Sequence, residues 1–173
     1  MISCLLLIDI QNGFVTEKTE HIMPRLESLI SSGIFNHIVA TQFVNKEGSP
    51  YVRSLNWKKL MERPEIDVKY VVKKNTERIF EKNVYSALND PFLSFVSNKG
   101  IERIYIAGID TDCCVLKTAA DMFEKGLNFR VLIDYSTSNG GKKSHEAADT
   151  VMVRLIGEGN ILRGDMTRER LNE

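Results

Sequence analysis

The sequence is short of cysteine, histidine and tryptophan, carries no excess of either charge, and contains no long apolar run. Each shortage excludes something. Three cysteines, Cys4, Cys113 and Cys114, cannot build a disulfide framework, and the adjacent pair cannot bridge without strained geometry, so all three read as thiols. Three histidines, His21, His37 and His145, lack metal-ligand spacing with one another or with the cysteines. The 23 basic and 23 acidic residues cancel, and they are mixed along the chain. Nucleic acid and other polyanions therefore lose their main attraction. The longest apolar stretch, Cys4 to Ile8, stops at Asp9, far short of the ~20 residues that cross a membrane, and no signal-peptide pattern opens the chain. The expectation is a soluble, reduced, cytoplasmic protein with no nucleic-acid or membrane partner.

What is present is ordinary globular material. The 173 residues are 43% hydrophobic and 27% charged, with 11 Gly and 4 Pro. A chain of this length makes one domain, here taken as 1–173, that buries roughly 70% of its unfolded surface. Short apolar runs alternate with amphipathic ones. Strands are expected at Cys4–Ile8, His37–Thr41, Tyr70–Val72, Arg103–Ala107 and Phe129–Ile133, with a short one at Asn160–Leu162. Helices are expected at Ile22–Ile30, Phe92–Val96, Cys113–Glu124 and from Ser144, as N-cap, to about Gly157. That alternation, with several strands wholly apolar, predicts an α/β fold whose mostly parallel sheet is covered on both faces. The segment from Asn45 to Pro64 is too long for a plain connection and too aromatic for a linker, so it is expected to fold over something.

In such sheets ligands bind beyond the carboxyl ends of the strands. There the sequence places Asp9, the run Thr41–Asn45, the lysines from Lys73 to Lys82, the turn Gly108–Cys114, and Asp134–Ser138. Cys114 opens a helix after a tight turn, where N–H groups and the helix dipole favour a thiolate and can hold an oxyanion; Asp110 and Asp112 act against it. A buried, inert thiol is the plainer alternative. Asp9 is either a turn residue meeting water or a general base held by Gln11 and Asn12. Gly140-Gly-Lys-Lys-Ser144 is a poor phosphate loop, because Ser136 occupies the place of the spaced glycine, and it reads as a solvated turn. The cluster Lys69, Lys73, Lys74 and Arg78 is offset by Glu77 and Glu81 and reads as a solvated face.

Three spaced segments go further. Leu6-Leu-Ile-Asp-Ile-Gln-Asn-Gly-Phe14, Lys82-Asn-Val-Tyr-Ser-Ala-Leu88, and Ile106-Ala-Gly-Ile-Asp-Thr-Asp-Cys-Cys-Val115 followed by Thr118, Ala119 and Asp121 occur in that order. Together they resemble the isochorismatase-like cysteine hydrolases, as do Arg130–Asp134, Ser138 and His145 later in the chain. The resemblance runs from about Leu5 to Ile161. It implies a three-layer α/β/α sandwich around a six-stranded Rossmann-like sheet, and an Asp-Lys-Cys triad of Asp9, Lys82 and Cys114. Cys114 matches rather than Cys113, because the family nucleophile directly precedes valine. The resemblance also implies a cis peptide at Ile109–Asp110, an oxyanion hole made by the backbone N–H groups of Asp110 and Cys114, and a homo-oligomer.

Nicotinamidases of that family carry an Asp-x-His metal site after strand two. Thr41-Gln-Phe-Val-Asn-Lys-Glu47 has no histidine, so neither a catalytic metal nor another cofactor is expected, and nicotinamide is disfavoured as substrate. Isochorismatases that cleave a vinyl ether lack the cysteine, so Cys114 implies hydrolysis of a carbon–nitrogen bond in a small amide or ureide. Gln11, Phe14, Phe43, Trp57 and Tyr85 are candidate pocket residues. A vinyl-ether hydrolase and an idle oligomeric scaffold are the competing readings.

Overall fold

The computed structural model describes residues 1–172; the last position of the expected 1–173 span lies outside the described residues. Six strands form one sheet: β1 (Ser3–Ile8), β2 (His37–Phe43), β3 (Arg78–Lys82), β4 (Arg103–Ile109), β5 (Phe129–Thr137) and β6 (Ile161–Leu162). Their order is β3-β2-β1-β4-β5-β6, and every pairing is parallel. The sheet is wound in both directions from β1, so the crevice at the C-terminal ends of β1 and β4 is the switch point at which such sheets hold ligands.

Central strands β1 and β4 are buried on both faces, which is why they read as unbroken apolar runs. Alternate residues feed different cores. Cys4, Leu6 and Ile8 pack with Phe92, Phe95, Ala119, Met122 and Met152 from helices α4 (Asp90–Asn98), α5 (Leu116–Glu124) and α6 (Lys142–Ile156). Leu5 and Leu7 face α1 (Met23–Ser31) and α3 (Tyr70–Lys73) through Leu26, Leu29, Ile30 and Val72. The result is the expected three-layer α/β/α sandwich. Among the described residues no helix is long and apolar enough to cross a membrane.

Three local expectations are corrected. Tyr70–Val72 is not a strand but part of α3, with Tyr70 exposed. The strand is Arg78–Lys82, whose charged, half-exposed side chains mark it as a sheet edge and hide it from a search for apolar runs. Ser144 does not cap α6, which begins two residues earlier behind Gly141. The expected helix from Cys113 is instead a five-residue π-helical turn, Thr111–Val115, that leads into α5.

Gly108 explains how β4 can end so close to β1. Its φ is +141°, and a Cβ there would lie 2.2 Å from the Ile8 carbonyl oxygen, so only glycine fits. The β4–β5 register shifts at this point, between Ile106 and Gly108, and β5 continues four residues past its expected end.

Candidate active site

The switch point brings together three residues that lie far apart in sequence. Asp9 follows β1, Lys82 closes β3, and Cys114 sits in the π-helical turn after β4. The Lys82 ammonium lies 2.7 Å from Asp9 Oδ2 and 3.5 Å from Cys114 Sγ. It also donates to the carbonyls of Val84 at 3.0 Å and Tyr85 at 3.1 Å, and stands over the Phe43 ring. Asp9 is fully buried, Lys82 is 5% exposed and Cys114 3%. Burial disfavours the Lys82 ammonium, but Asp9 and Cys114 more than offset it, and the pKa ends above its ordinary value. Burial likewise pushes the Cys114 thiol well up, Asp9 adds to this, and Lys82 opposes it. At neutral pH the resting cluster is therefore ammonium and thiol. The direction is opposite to the lowering expected at a helix start, with burial and then Asp9 as the causes.

Neighbouring segments hold each member in place. Asp9 leaves β1 with φ +52°, a conformation aspartate tolerates. Thr41 fixes it twice, donating from Oγ1 to Asp9 Oδ1 at 2.6 Å and accepting from the Asp9 N–H at 3.1 Å. The lysine segment is tied to the nucleophile helix where the Ala87 N–H donates to Thr118 Oγ1. The Thr111 hydroxyl meets His145 Nδ1 at 2.8 Å, and Ser138 donates to Asp112. The Ile109–Asp110 peptide is cis. The N–H groups of Cys113 and Val115 go to the Asp110 carbonyl, whereas among the described residues that of Asp110 takes no backbone acceptor.

The cysteine opens onto a cavity of about 300 Å³, walled by Phe14, Phe43, Tyr51, Trp57 and Tyr85 and also lined by Lys59, Asp110 and Asn139. Phe14 and Trp57 stack with centroids 6.0 Å apart, and Tyr51 meets Phe43 and Tyr85 edge-on. Four of the five candidate pocket residues thus line it. Gln11 does not: its amide Nε2 donates to the Phe43 and Ile66 carbonyls, and its Oε1 receives the Phe43 N–H, so it braces the wall from behind. Asn12 donates to the Pro64 carbonyl. Gln11 bonds Asp9 only through the backbone, its N–H donating to the Asp9 carbonyl at 2.8 Å, and neither side chain holds the Asp9 carboxyl; Thr41, a residue within the flagged strand end, takes that part. Among the described residues no group of three or more His, Cys, Asp or Glu side chains is placed to hold a metal ion.

The aromatic segment does fold over something: its helix α2 (Pro50–Leu55) and Trp57 form one side of the cavity. Asn45 anchors it. This buried amide donates to the carbonyls of Trp57 and Lys59, each at 3.1 Å, and accepts from the Ser49 hydroxyl and the Lys46 N–H. Asn45→Ala is expected to cost about 1–3 kcal/mol, since it orphans two carbonyls and a hydroxyl. Denaturant unfolding measures that loss. An unchanged midpoint would mean that the segment is held by its aromatic contacts alone.

Comparison with known proteins bears on the fold and the family. Isochorismatase family protein 1A of Dictyostelium discoideum is 36% identical over 67 residues, a stretch covering 38% of this chain and 32% of that protein, so the matched part spans about a third of the relative's length. An isochorismatase-like hydrolase from Alkaliphilus metalliredigens superposes with a TM-score of 0.80 at 19% identity, covering 99% of this chain and 98% of that one. N-carbamoylsarcosine amidase from Thermoplasma acidophilum gives 0.79 at 18% identity, covering 95% and 96%. At such identities the two structures establish the fold. The isochorismatase domain model matches residues 3–158, a span that contains Asp9, Lys82 and Cys114, and the chain belongs to the isochorismatase domain family.

Proposed function

We propose that the protein is a hydrolase that cleaves a carbon–nitrogen bond of a small amide or ureide through a thioester on Cys114. The observation that carries this reading is the buried contact of Lys82 with both Asp9 and Cys114 at the wall of an aromatic cavity. A thiol pushed up by burial is no nucleophile by itself and needs a base in contact with it. Asp9 is that base, since one ammonium, that of Lys82, holds its carboxylate at 2.7 Å and the Cys114 sulfur at 3.5 Å and so keeps base and thiol together.

The steps balance as follows. Asp9 takes the Cys114 proton as sulfur bonds to the substrate carbonyl carbon, and the carbonyl π pair moves onto oxygen. The N–H groups of Asp110 and Cys114 hold that oxygen. As the intermediate collapses, the carbon–nitrogen bond breaks, Asp9 returns the proton to nitrogen, and ammonia or an amine leaves. A water then gives a proton to Asp9 and its oxygen to the thioester carbon. The carbon–sulfur bond breaks, and Asp9 reprotonates the thiolate. Lys82 stays charged throughout and stabilises whichever of Asp9 and Cys114 is the anion.

The test is ammonia release from a panel of primary amides and ureides, with acid-quenched mass spectrometry of the Cys114 peptide. Equimolar ammonia and acid, with an acyl adduct on that peptide, is the expected result. Cleavage of a vinyl ether with no ammonia from any panel member would overturn the assignment.

A further inference from the structure

Asp110 carries a buried carboxyl on the cavity wall that the steps above use only through its backbone. Both donors of Asn139, the backbone N–H at 2.7 Å and Nδ2 at 2.9 Å, go to the same oxygen, Oδ1. Among the described residues no hydrogen bond is donated to Oδ2, and the residue lines the cavity beside Cys113 and Cys114. The clamp is itself fixed. Asn139 Nδ2 donates to the Phe14 carbonyl, its Oδ1 accepts from the Thr16 hydroxyl at 2.8 Å, and its carbonyl accepts from Lys18. One carboxylate oxygen is thus locked and the other left unclamped on a residue of the cavity wall, the pre-organisation that selective recognition requires. Because the N–H of the same residue grips the substrate carbonyl in the proposed chemistry, this oxygen meets what flanks that carbonyl.

We propose that Asp110 Oδ2 is a substrate-recognition acceptor that selects amides carrying an N–H donor on the far side of the scissile carbonyl, as an N-substituted ureide does. The assignment rests on the carbon–nitrogen hydrolase reading of the same cavity. A pocket that buries an acceptor rejects ligands that leave it unpaired. Burial pushes this carboxyl up to about 6, against the lowering effect of the Asn139 donors and with Asp112 and Asp9 adding to the rise. The other ionisable groups lining the cavity among the described residues are Cys113, Cys114, Tyr51, Tyr85 and Lys59, with Lys82 behind the triad. As pH falls through about 6 the acceptor gains a proton and recognition of an N–H is lost.

The probes are benzylurea and N-benzyl-N-methylurea, in which a methyl group replaces that N–H hydrogen. Binding is measured by calorimetry on Cys114→Ala, and turnover on the unmodified enzyme. Benzylurea is expected to be favoured about tenfold or more, the range of a hydrogen bond to a charged group, above pH 7, with the preference shrinking below pH 6. Asp110→Asn keeps an oxygen for Asn139 and places an amide where Oδ2 was. It is expected to bring the two ureas to near parity and remove the pH dependence of the preference. Should that variant fail to fold, the pH dependence of the preference in the unmodified enzyme still decides. Equal treatment of both ureas, binding of neither, or a preference that survives Asp110→Asn overturns the assignment. A binding preference without hydrolysis of either urea supports it while sinking the hydrolase reading; hydrolysis of both at equal rates does the reverse.

Discussion

Cys114→Ala is expected to lower turnover by about 10⁴-fold or more, while Cys113→Ala stays within a few-fold of the unmodified enzyme. The two thiols are neighbours in sequence but not in chemistry. Cys114 is buried and lies 3.5 Å from the Lys82 ammonium, in a cluster with Asp9. Cys113 is half-buried, lines the same cavity, and is pushed up to about 11 by burial, with Asp112 and Asp110 adding to the rise, and among the described residues its side chain has no hydrogen bond. The structure therefore predicts a nucleophile that is a thiol at rest and becomes a thiolate only as it attacks. Simple alkylation by iodoacetamide at pH 7 is accordingly expected to be slow at Cys114, Cys113 and the core thiol Cys4, whose pKa burial raises to about 12. Ammonia release and peptide-resolved alkylation, measured on the same samples, check both halves. Turnover that survives Cys114→Ala in folded protein would remove the covalent mechanism.

How much of this was legible in the sequence follows the physics of each element. Strands buried on both faces, such as Cys4–Ile8 and Arg103–Ala107, show as unbroken apolar runs, and the rule that ligands sit at strand ends then picks out Asp9 and the turn before Cys114. Edge strand β3 was hidden because only part of its surface is buried, and Lys82 was found through its resemblance motif rather than through a strand pattern. Thr41 and Asn139 could not have been ranked above other polar residues. Their importance comes from contacts 32 and 29 residues away in sequence, and no local pattern encodes such pairings. Gln11 was misjudged for the opposite reason. It lies beside the motif aspartate, but its amide serves the backbone of Phe43 and Ile66, so nearness in sequence to that aspartate does not put it in the pocket.

Lys82→Met is expected to cost about 3–5 kcal/mol of folding stability as well as activity, and Asp9→Asn to cost less. Lys82→Met strands the fully buried Asp9 carboxylate with the Thr41 hydroxyl and orphans the carbonyls of Val84 and Tyr85. Asp9→Asn leaves the ammonium with those two carbonyls still accepting, and the Asn oxygen can take the place of the lost carboxylate. The double variant Asp9→Asn/Lys82→Met removes both charges together. It is expected to be more stable than Lys82→Met alone, because an unpaired buried charge costs more than the absent pair. The pH dependence has a definite sign. The Lys82 pKa is raised in the folded state above its ordinary 10.5, so the contribution of the pair is fully present below that value. It is lost as pH climbs through the folded-state pKa, and the Lys82→Met deficit should therefore shrink only in strongly alkaline solution. Urea unfolding of the four proteins at pH 7 and pH 10 measures the coupling and checks that the Lys82→Met deficit is undiminished at pH 10. Single-variant losses that simply add in the double variant would show that Asp9 and Lys82 are not coupled, and the triad would lose the electrostatic link that makes Asp9 a base for Cys114.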